Sequence, residues 1–177
     1  LGVLMVMQRS NGGNTGYFLG EVSSTGWWYY FPILFLLKEP VPSLILILLA
    51  FLFGTWNVIK KLKIENLKLK IFNDYLSLHF AEFSMLSFAV FYWLYSVKSP
   101  LNIGIRHILP TMPFIYILIA SAAKKTISSS VKKIILAALL LWFALETLFA
   151  APYYLSYSNQ FGGGIWNGYK YAVDSNY

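Results

Sequence analysis

The sequence predicts an all-α membrane protein with about four transmembrane helices and one further helix that is interfacial or re-entrant. Hydrophobic residues make up 58% of the 177 residues and charged residues only 12%, which is about half the charged fraction of an ordinary soluble domain. The apolar residues form long blocks, each sufficient to cross a hydrocarbon core of roughly 30 Å. The lysines lie between these blocks, as the positive-inside rule expects of a multi-pass protein.

Residues 8–42 are predicted to form an external loop followed by the interfacial helix. Their first half is polar and rich in Gly, Ser and Asn, which is typical of a loop. The aromatic segment at residues 27–32 suits the headgroup layer, where amphipathic rings lie half in water. The apolar run that follows it, residues 33–37, is too short to span a membrane. Pro40 and Pro42 then favour the start of a new helix.

Four apolar blocks are predicted to be transmembrane helices, and the tyrosine-rich residues 152–177 an external tail. The runs are too long and alternate too little for the strands of a membrane β-barrel. All segments are expected to belong to one polytopic domain. The four predicted spans are residues 43–59, 78–97, 107–123 and 134–151.

Two lysine-rich loops orient the protein. Residues 60–70 and 124–133 hold nine of the fourteen basic residues, and two spans separate them, so they lie on the same side. The positive-inside rule makes that side cytoplasmic in a plasma or inner membrane. Residues 8–42, 98–106 and 152–177 then face the opposite side. A nucleic-acid partner is excluded because the positive charge is divided among short inter-helix loops.

The chain begins at Leu1 and ends at Tyr177, and neither resembles a natural terminus, so we expect it to be part of a longer protein. Residues 1–7 carry no basic flank or cleavage site of a signal peptide and suit the end of an upstream helix. The absence of cysteine excludes disulfides and thiolate metal sites. The two histidines have no acidic residue at ligand spacing, so neither a metal nor another cofactor is expected.

Arg106 and His107 begin the third predicted span. Arg106 could be an interface anchor whose side chain reaches the headgroups. It could also bind a phosphate at the membrane surface, because a guanidinium matches the geometry of phosphate oxygens. His107 could add a donor there, or it could be a polar residue satisfied within the fold.

Glu21 and Lys38 flank the aromatic segment and also allow two interpretations. They could be solvated loop charges, or polar groups around a sugar or phosphate. Tyr29 and Tyr30 could stack on a saccharide, although anchoring at the interface explains them equally well.

Three groups of short motifs occur in a fixed order along the chain. Together they resemble the later half of membrane glycosyltransferases of the family 39 type, the protein-mannosyltransferase and dolichyl-phosphate-mannose-like enzymes of the C-type superfamily. The motifs are residues 17–21, 26–32 and 38–42; residues 106–110 with Pro113-Phe114; and Asn159-Gln160 with residues 168–171 and 173–176.

The resemblance implies a polytopic enzyme that transfers a sugar from a polyprenyl-phosphate carrier to a protein or glycan acceptor on the non-cytoplasmic face. The family's catalytic acid lies in an early loop that this chain does not contain, so the catalytic residue is left unassigned. The resemblance implies donor-phosphate contacts at Arg106, His107 and Lys38. It implies sugar or lipid contacts at Glu21, Trp28, Tyr29, Tyr30 and Asp174.

Two other functions remain possible from sequence alone, a transporter and a non-catalytic membrane subunit. A transporter needs several polar groups along a path through its spans. The predicted spans contain two acids, Glu82 and Glu146, and are otherwise mostly Leu, Ile and Phe. An intramembrane acid is usually paired or functional, and Glu146 lies in the outer half of its span.

Overall fold

The computed structural model describes residues 15–64, 76–126, 129–154 and 156–172, and it is mostly helical. Two short strands and one nine-residue helix precede the long helices. The described elements are strands β1 (Gly16–Phe18) and β2 (Glu21–Ser23); helices α1 (Tyr30–Lys38), α2 (Val41–Ile64), α3 (Phe80–Lys98), α4 (Met112–Thr126), α5 (Ser130–Ala150) and α6 (Gly164–Asn167); and 3-10 turns at Ile105–His107, Leu109–Thr111 and Gly168–Lys170.

The segment that the sequence predicts as a loop contains a β-hairpin, so that prediction is wrong for residues 16–23. Strands β1 and β2 are antiparallel, with Tyr17 opposite Val22. The two residues between them, Leu19 and Gly20, have φ of 51° and 94°. Positive φ at both central residues is the pattern of a type I′ turn, which matches the twist of a hairpin. Strands of three residues are too short to show an alternating pattern in the sequence.

Helices α1 and α2 meet at a bend of 117°. Glu39 at the bend has φ of −78° and ψ of 134°, the extended conformation that a residue before proline prefers. Its amide donates to the Phe35 carbonyl (2.8 Å) and ends α1, while the Pro40 carbonyl accepts from Leu44 (3.1 Å) in the first turn of α2. The Pro40–Pro42 segment therefore produces a sharp break between two helices.

Two helices, α3 and α5, are long and apolar enough to cross a membrane, and the bent pair α1 and α2 adds a third if it is one broken span. Helix α4 contacts both α2 and α3, and α2 also contacts α5. The predicted third span is wrong at its start, because 3-10 turns occupy Ile105–His107 and Leu109–Thr111 and α4 begins at Met112. With 15 residues, α4 is about 22 Å long, less than the hydrocarbon thickness.

The long helices expose most of their apolar side chains. Only 11% of the most apolar window of α3 and 6% of that of α5 is buried. The exposed side chains include Phe91 on α3 and Leu148 and Phe149 on α5. Such large apolar surfaces are unfavourable in water and match the hydrocarbon of a bilayer, so the structure indicates a membrane protein.

The compact core of the structure lies at one end of the helices. We name this end the cap and define it as residues 15–40, 99–111 and 151–172. The cap brings together residues from the three segments that the sequence predicts on the side opposite the lysine-rich loops. The amide of Leu19 donates to the Tyr171 carbonyl (2.7 Å). The buried core residues are Phe18, Tyr30, Phe31, Leu34, Ile105, Ile108, Met112 and Ala172.

Asn102 connects the hairpin side of the cap to the loop after α3. Its Oδ1 accepts from the Trp27 amide and its Nδ2 donates to the Trp27 carbonyl, both at 3.3 Å. Gly26, the residue before Trp27, has φ of 74°. A Cβ at this position would lie 2.1 Å from the Asn102 Oδ1 and 2.8 Å from the Pro100 carbonyl oxygen. Glycine is therefore required at this approach by both conformation and space.

We expect Gly26→Ala to lower the free energy of unfolding by about 2 kcal/mol, because it adds backbone strain and a collision with Asn102. Gly54→Ala is the matched control, since a Cβ at this helical position meets nothing within 4 Å. Thermal unfolding of the purified protein in detergent measures both. A Gly26→Ala midpoint equal to that of Gly54→Ala would contradict the proposed close approach.

Candidate functional site in the cap

Asn159 holds the tail of the chain to the break between α1 and α2. Its side chain is 1% exposed. Its Nδ2 donates to the carbonyls of Leu36 and Glu39, each at 2.7 Å. Its Oδ1 accepts from the amides of Phe161 (2.9 Å) and Gly162 (3.1 Å). One side chain thus satisfies carbonyls at the end of α1 and amides of the following tail turn.

The carboxylate of Glu39 links the same break to the helical bundle. The residue is buried, and its Oε1 accepts from the Ser43 hydroxyl one turn along α2. The same oxygen accepts from the Tyr116 hydroxyl on α4 at 2.7 Å. Because a buried carboxylate is costly without donors, these two hydroxyls help to fix the angle between α1, α2 and α4.

A second buried carboxylate, Glu146 near the end of α5, is also satisfied by neutral donors. Its Oε1 accepts from Trp142 Nε1 (2.7 Å) and Gln160 Nε2 (2.6 Å), and its Oε2 accepts from the Tyr157 hydroxyl (2.7 Å). Burial and the hydrogen bond to this carboxylate raise the pKa of Tyr157 above its usual value. The phenol therefore stays protonated and remains a donor to Glu146.

Glu82, the other acid in a predicted span, lies at the opposite end of the bundle. It accepts from Lys125 Nζ (2.8 Å) and Ser121 Oγ (2.5 Å), and His79 Nδ1 lies 2.6 Å from it. These contacts join α3 to the last turns of α4. Glu82 is thus paired within the fold rather than part of the cap.

Arg106 offers an exposed cation on a fixed backbone. It lies in the first 3-10 turn, next to the buried Ile105. Its guanidinium is exposed and has no hydrogen bond or ion pair with any residue that the structure describes. A guanidinium in this state can bind a phosphate without first breaking an internal ion pair.

His107 is packed into the cap rather than presented beside Arg106. Its ring stacks on Phe31 at 5.2 Å between centroids, and its carbonyl accepts from the Tyr92 hydroxyl at 2.9 Å. Its Nε2 is buried with no hydrogen-bond partner among the described residues. Because the ring stacks on the buried Phe31 and its Nε2 is enclosed, His107 is not presented beside Arg106 as a donor to a phosphate.

Lys38 does not fit the predicted role of a surface contact to phosphate. Its side chain is 7% exposed. It lines a seam between α1 and the tail, beside Ser158 and Gly162, that is too narrow to admit a water molecule. The sequence missed this because the residues that cover Lys38 lie more than a hundred positions later in the chain.

Of the predicted sugar or lipid contacts, three remain accessible. Trp28 is 72% exposed, and its ring meets the half-buried Tyr29 edge to face at 5.6 Å. Glu21 is exposed on β2 and accepts from Trp27 Nε1 at 3.3 Å. The exposed Trp28 indole is a suitable surface for an amphipathic ligand.

Two predicted contacts do not join this surface. Tyr30 is 2% exposed and packs against Phe18 and Phe31, with centroids at 4.8 and 5.2 Å. It is a core residue and cannot stack on a sugar, because α1 turns its ring inward while Trp28 precedes the helix. Asp174 lies outside the described residues.

Sequence reasoning missed the contact between Asn159 and Glu39 and the contact between Tyr157 and Glu146. Polar residues in a predicted loop look alike before the chain is folded, and nothing in their order along the chain pairs them. Within the described ranges, no group of three or more His, Asp or Glu side chains could hold a metal ion.

Comparison of the chain with protein-family models, curated proteins and solved structures gave no match. The resemblance to family 39 glycosyltransferases therefore rests on the sequence motifs alone.

Proposed function

We propose that this chain is the donor-binding part of a membrane glycosyltransferase that takes a sugar from a polyprenyl phosphate. In this proposal four segments cross the membrane, with α4 and the turns before it as the third. The cap lies at the non-cytoplasmic face, and the acceptor is a protein or glycan. Arg106 binds the carrier phosphate, and Trp28, Tyr29 and Glu21 contact the sugar or the adjacent lipid.

The observation that carries the proposal is the convergence of the three motif groups in one cap. The first and second groups meet through the Phe31 ring on His107 (5.2 Å). The first and third meet through Asn159 and the Leu36 and Glu39 carbonyls (2.7 Å). Segments more than a hundred residues apart thus build one surface that presents an exposed arginine.

The chemistry assigned to Arg106 is electrostatic. When the sugar leaves its carrier, negative charge grows on the phosphate, and a fixed cation stabilises that charge more in the transition state than in the ground state. A guanidinium can form two parallel hydrogen bonds to phosphate oxygens. The buried Ile105 and Ile108 on either side restrict the backbone that carries it, which is the preorganisation such a role needs.

We expect Arg106→Ala in the full-length protein to lower kcat/KM for a polyprenyl-phosphate sugar by about 100-fold or more, as removal of a charge-stabilising donor typically does. Arg106→Lys is expected to recover part of this loss, since an ammonium keeps the charge and loses the two-pronged geometry. Initial rates in native membranes, with separate binding of the sugar-free polyprenyl phosphate, measure both effects.

Lys98→Ala is the matched control, because Lys98 is an exposed cation at the end of α3, in the loop leading to Arg106. We expect its rate to stay within about threefold of the parent, the range of a surface charge change. The proposal fails if Arg106→Ala leaves both turnover and carrier affinity unchanged. It also fails if the full-length protein transfers no sugar from any polyprenyl-phosphate donor.

A further inference from the structure

A groove of about 680 Å³ lies between α2, α4 and α5, away from the cap. On α2 its lining runs from Leu46 to Ile59, which corresponds to a length of about 20 Å. On the other two helices it runs from Ile119 to Thr126 and from Lys132 to Leu139. The groove therefore extends along the helices and ends where the lysine-rich segments begin.

The interior of the groove is apolar. Leu, Ile, Phe and Ala side chains form most of it. The hydroxyls of its two threonines are already satisfied within their own helices, Thr55 by the Phe51 and Leu52 carbonyls (3.0 Å each) and Thr126 by the Ala122 carbonyl (2.7 Å). An occupant therefore meets only apolar atoms along the walls and needs no hydrogen-bonding groups there.

One end of the groove is positively charged. Lys132 lines it and donates one hydrogen bond, to the Thr126 carbonyl at 3.2 Å, which leaves donors of its ammonium for a ligand. Lys60 lies 5.4 Å over the ring of Trp56, another lining residue. Lys125 at the end of α4 is paired with Glu82. Among the described acidic residues none lines the groove, so its mouth favours an anion.

We propose that this groove binds one anionic phospholipid, with an acyl chain along α2, α4 and α5 and the phosphate of the headgroup at Lys132 and Lys60. An apolar groove with lysines at one end is complementary to a molecule that is apolar along its length and anionic at one end. Lysine clusters where helices leave the membrane attract anionic lipids. The site is separate from Arg106 and does not depend on the glycosyltransferase proposal.

The size of the groove suits a lipid chain. Its volume of about 680 Å³ falls within the roughly 300–1,000 Å³ typical of small-ligand sites. An apolar transmembrane segment could cover the walls, but it would leave the ammonium groups at the mouth without an anionic partner.

Native mass spectrometry of the purified full-length protein tests the proposal, with phosphatidylglycerol and phosphatidylcholine as the two probes. We expect one phosphatidylglycerol to remain bound after detergent washing, with at least tenfold preference over phosphatidylcholine. Lys132→Gln should weaken phosphatidylglycerol binding about fivefold, the contribution of one lysine near an anionic lipid. Lys98→Gln, at the other end of the bundle, should leave it unchanged.

Filling the groove gives a second, charge-independent test. Ala122→Phe places a ring among the lining residues of α4, and we expect it to reduce retention of both lipids at least tenfold. Ala120→Phe makes the same change at an exposed position of α4 that does not line the groove, and it should bind as the parent does.

Three results would overturn the proposal. Equal retention of the two lipids by the parent protein would remove the anionic preference. Unchanged phosphatidylglycerol binding by both Lys132→Gln and Ala122→Phe would place the lipid elsewhere. A dimer that Ala122→Phe abolishes would show that a second copy of the chain occupies the groove.

Discussion

Replacing Asn159 by alanine is expected to lower the free energy of unfolding by about 3 kcal/mol or more, since each buried polar group left without a partner costs roughly 1–3 kcal/mol. The change removes the donor to the Leu36 and Glu39 carbonyls and the acceptor for the Phe161 amide. Gly162 keeps its hydrogen bond to the Asn159 backbone carbonyl (3.0 Å). The loss is therefore concentrated at the break between α1 and α2.

Thermal unfolding in detergent measures this loss, and two further variants identify its cause. Asn159→Asp keeps the shape and the acceptor but turns a second carboxylate oxygen toward the two carbonyls, so we expect it to be at least as unstable as the alanine variant. Asn167→Ala, at an exposed position of α6, is the control and should unfold as the parent does. An Asn159→Asp protein as stable as the parent would show that the two donor bonds contribute little.

Glu146→Ala is expected to lower the free energy of unfolding by about 2–4 kcal/mol, because it leaves the Tyr157 hydroxyl buried without its acceptor and opens a cavity beside Trp142. Tyr157 is 8% exposed, so water cannot easily replace the carboxylate. Trp142 and Gln160 lose the same acceptor, although each is more exposed and can turn toward solvent or headgroups.

Glu146→Gln separates hydrogen bonding from charge at this position. Glutamine keeps one acceptor oxygen for Trp142 and Gln160, and its amide can donate to the Tyr157 oxygen, since a hydroxyl can reverse its role. We expect a loss of less than about 1 kcal/mol, well below that of the alanine variant. Parallel thermal unfolding of the two variants and the parent measures this. A glutamine variant as unstable as alanine would mean that the negative charge itself stabilises this part of the fold.

The alanine variants of Asn159 and Glu146 are expected to affect function by shifting the cap, because neither residue is proposed to contact the substrate. Asn159 and Glu146 tie the tail to α1 and α5, and α1 carries the Phe31 ring on which His107 stacks. In the proposed enzyme, a loosened cap would move Arg106 relative to Trp28 and weaken donor binding without removing any group that touches the donor. Reduced carrier affinity that returns at lower temperature would distinguish this effect from the direct loss in Arg106→Ala.

The sequence alone determined the elements that depend on local composition. The apolar blocks and the prolines at positions 40 and 42 located α2, α3 and α5 to within a few residues, because a run of apolar residues favours a helix wherever it is placed in the chain. The start of α4, in contrast, depends on tertiary contacts and not on local composition. Buried contacts of Ile105 and Ile108 hold residues 105–111 in 3-10 turns, and composition does not distinguish such turns from the first turn of a helix.

The same distinction between local composition and tertiary contacts applies to the residues of the candidate site. Sequence reasoning proposed Arg106, Trp28 and Glu21 as contacts because charged and aromatic residues near a membrane surface have distinctive chemistry, and the structure leaves all three exposed. It could not separate Tyr30 from Tyr29, or Lys38 from an exposed lysine, because burial depends on which distant segment covers a side chain. The Asn159 hydrogen bonds to α1, the Glu146 contacts with the tail and the apolar groove with its lysine mouth likewise exist only in the folded chain, because each joins residues of different elements. Composition and periodicity are local properties of the chain, whereas burial and shared hydrogen bonds belong to the folded molecule.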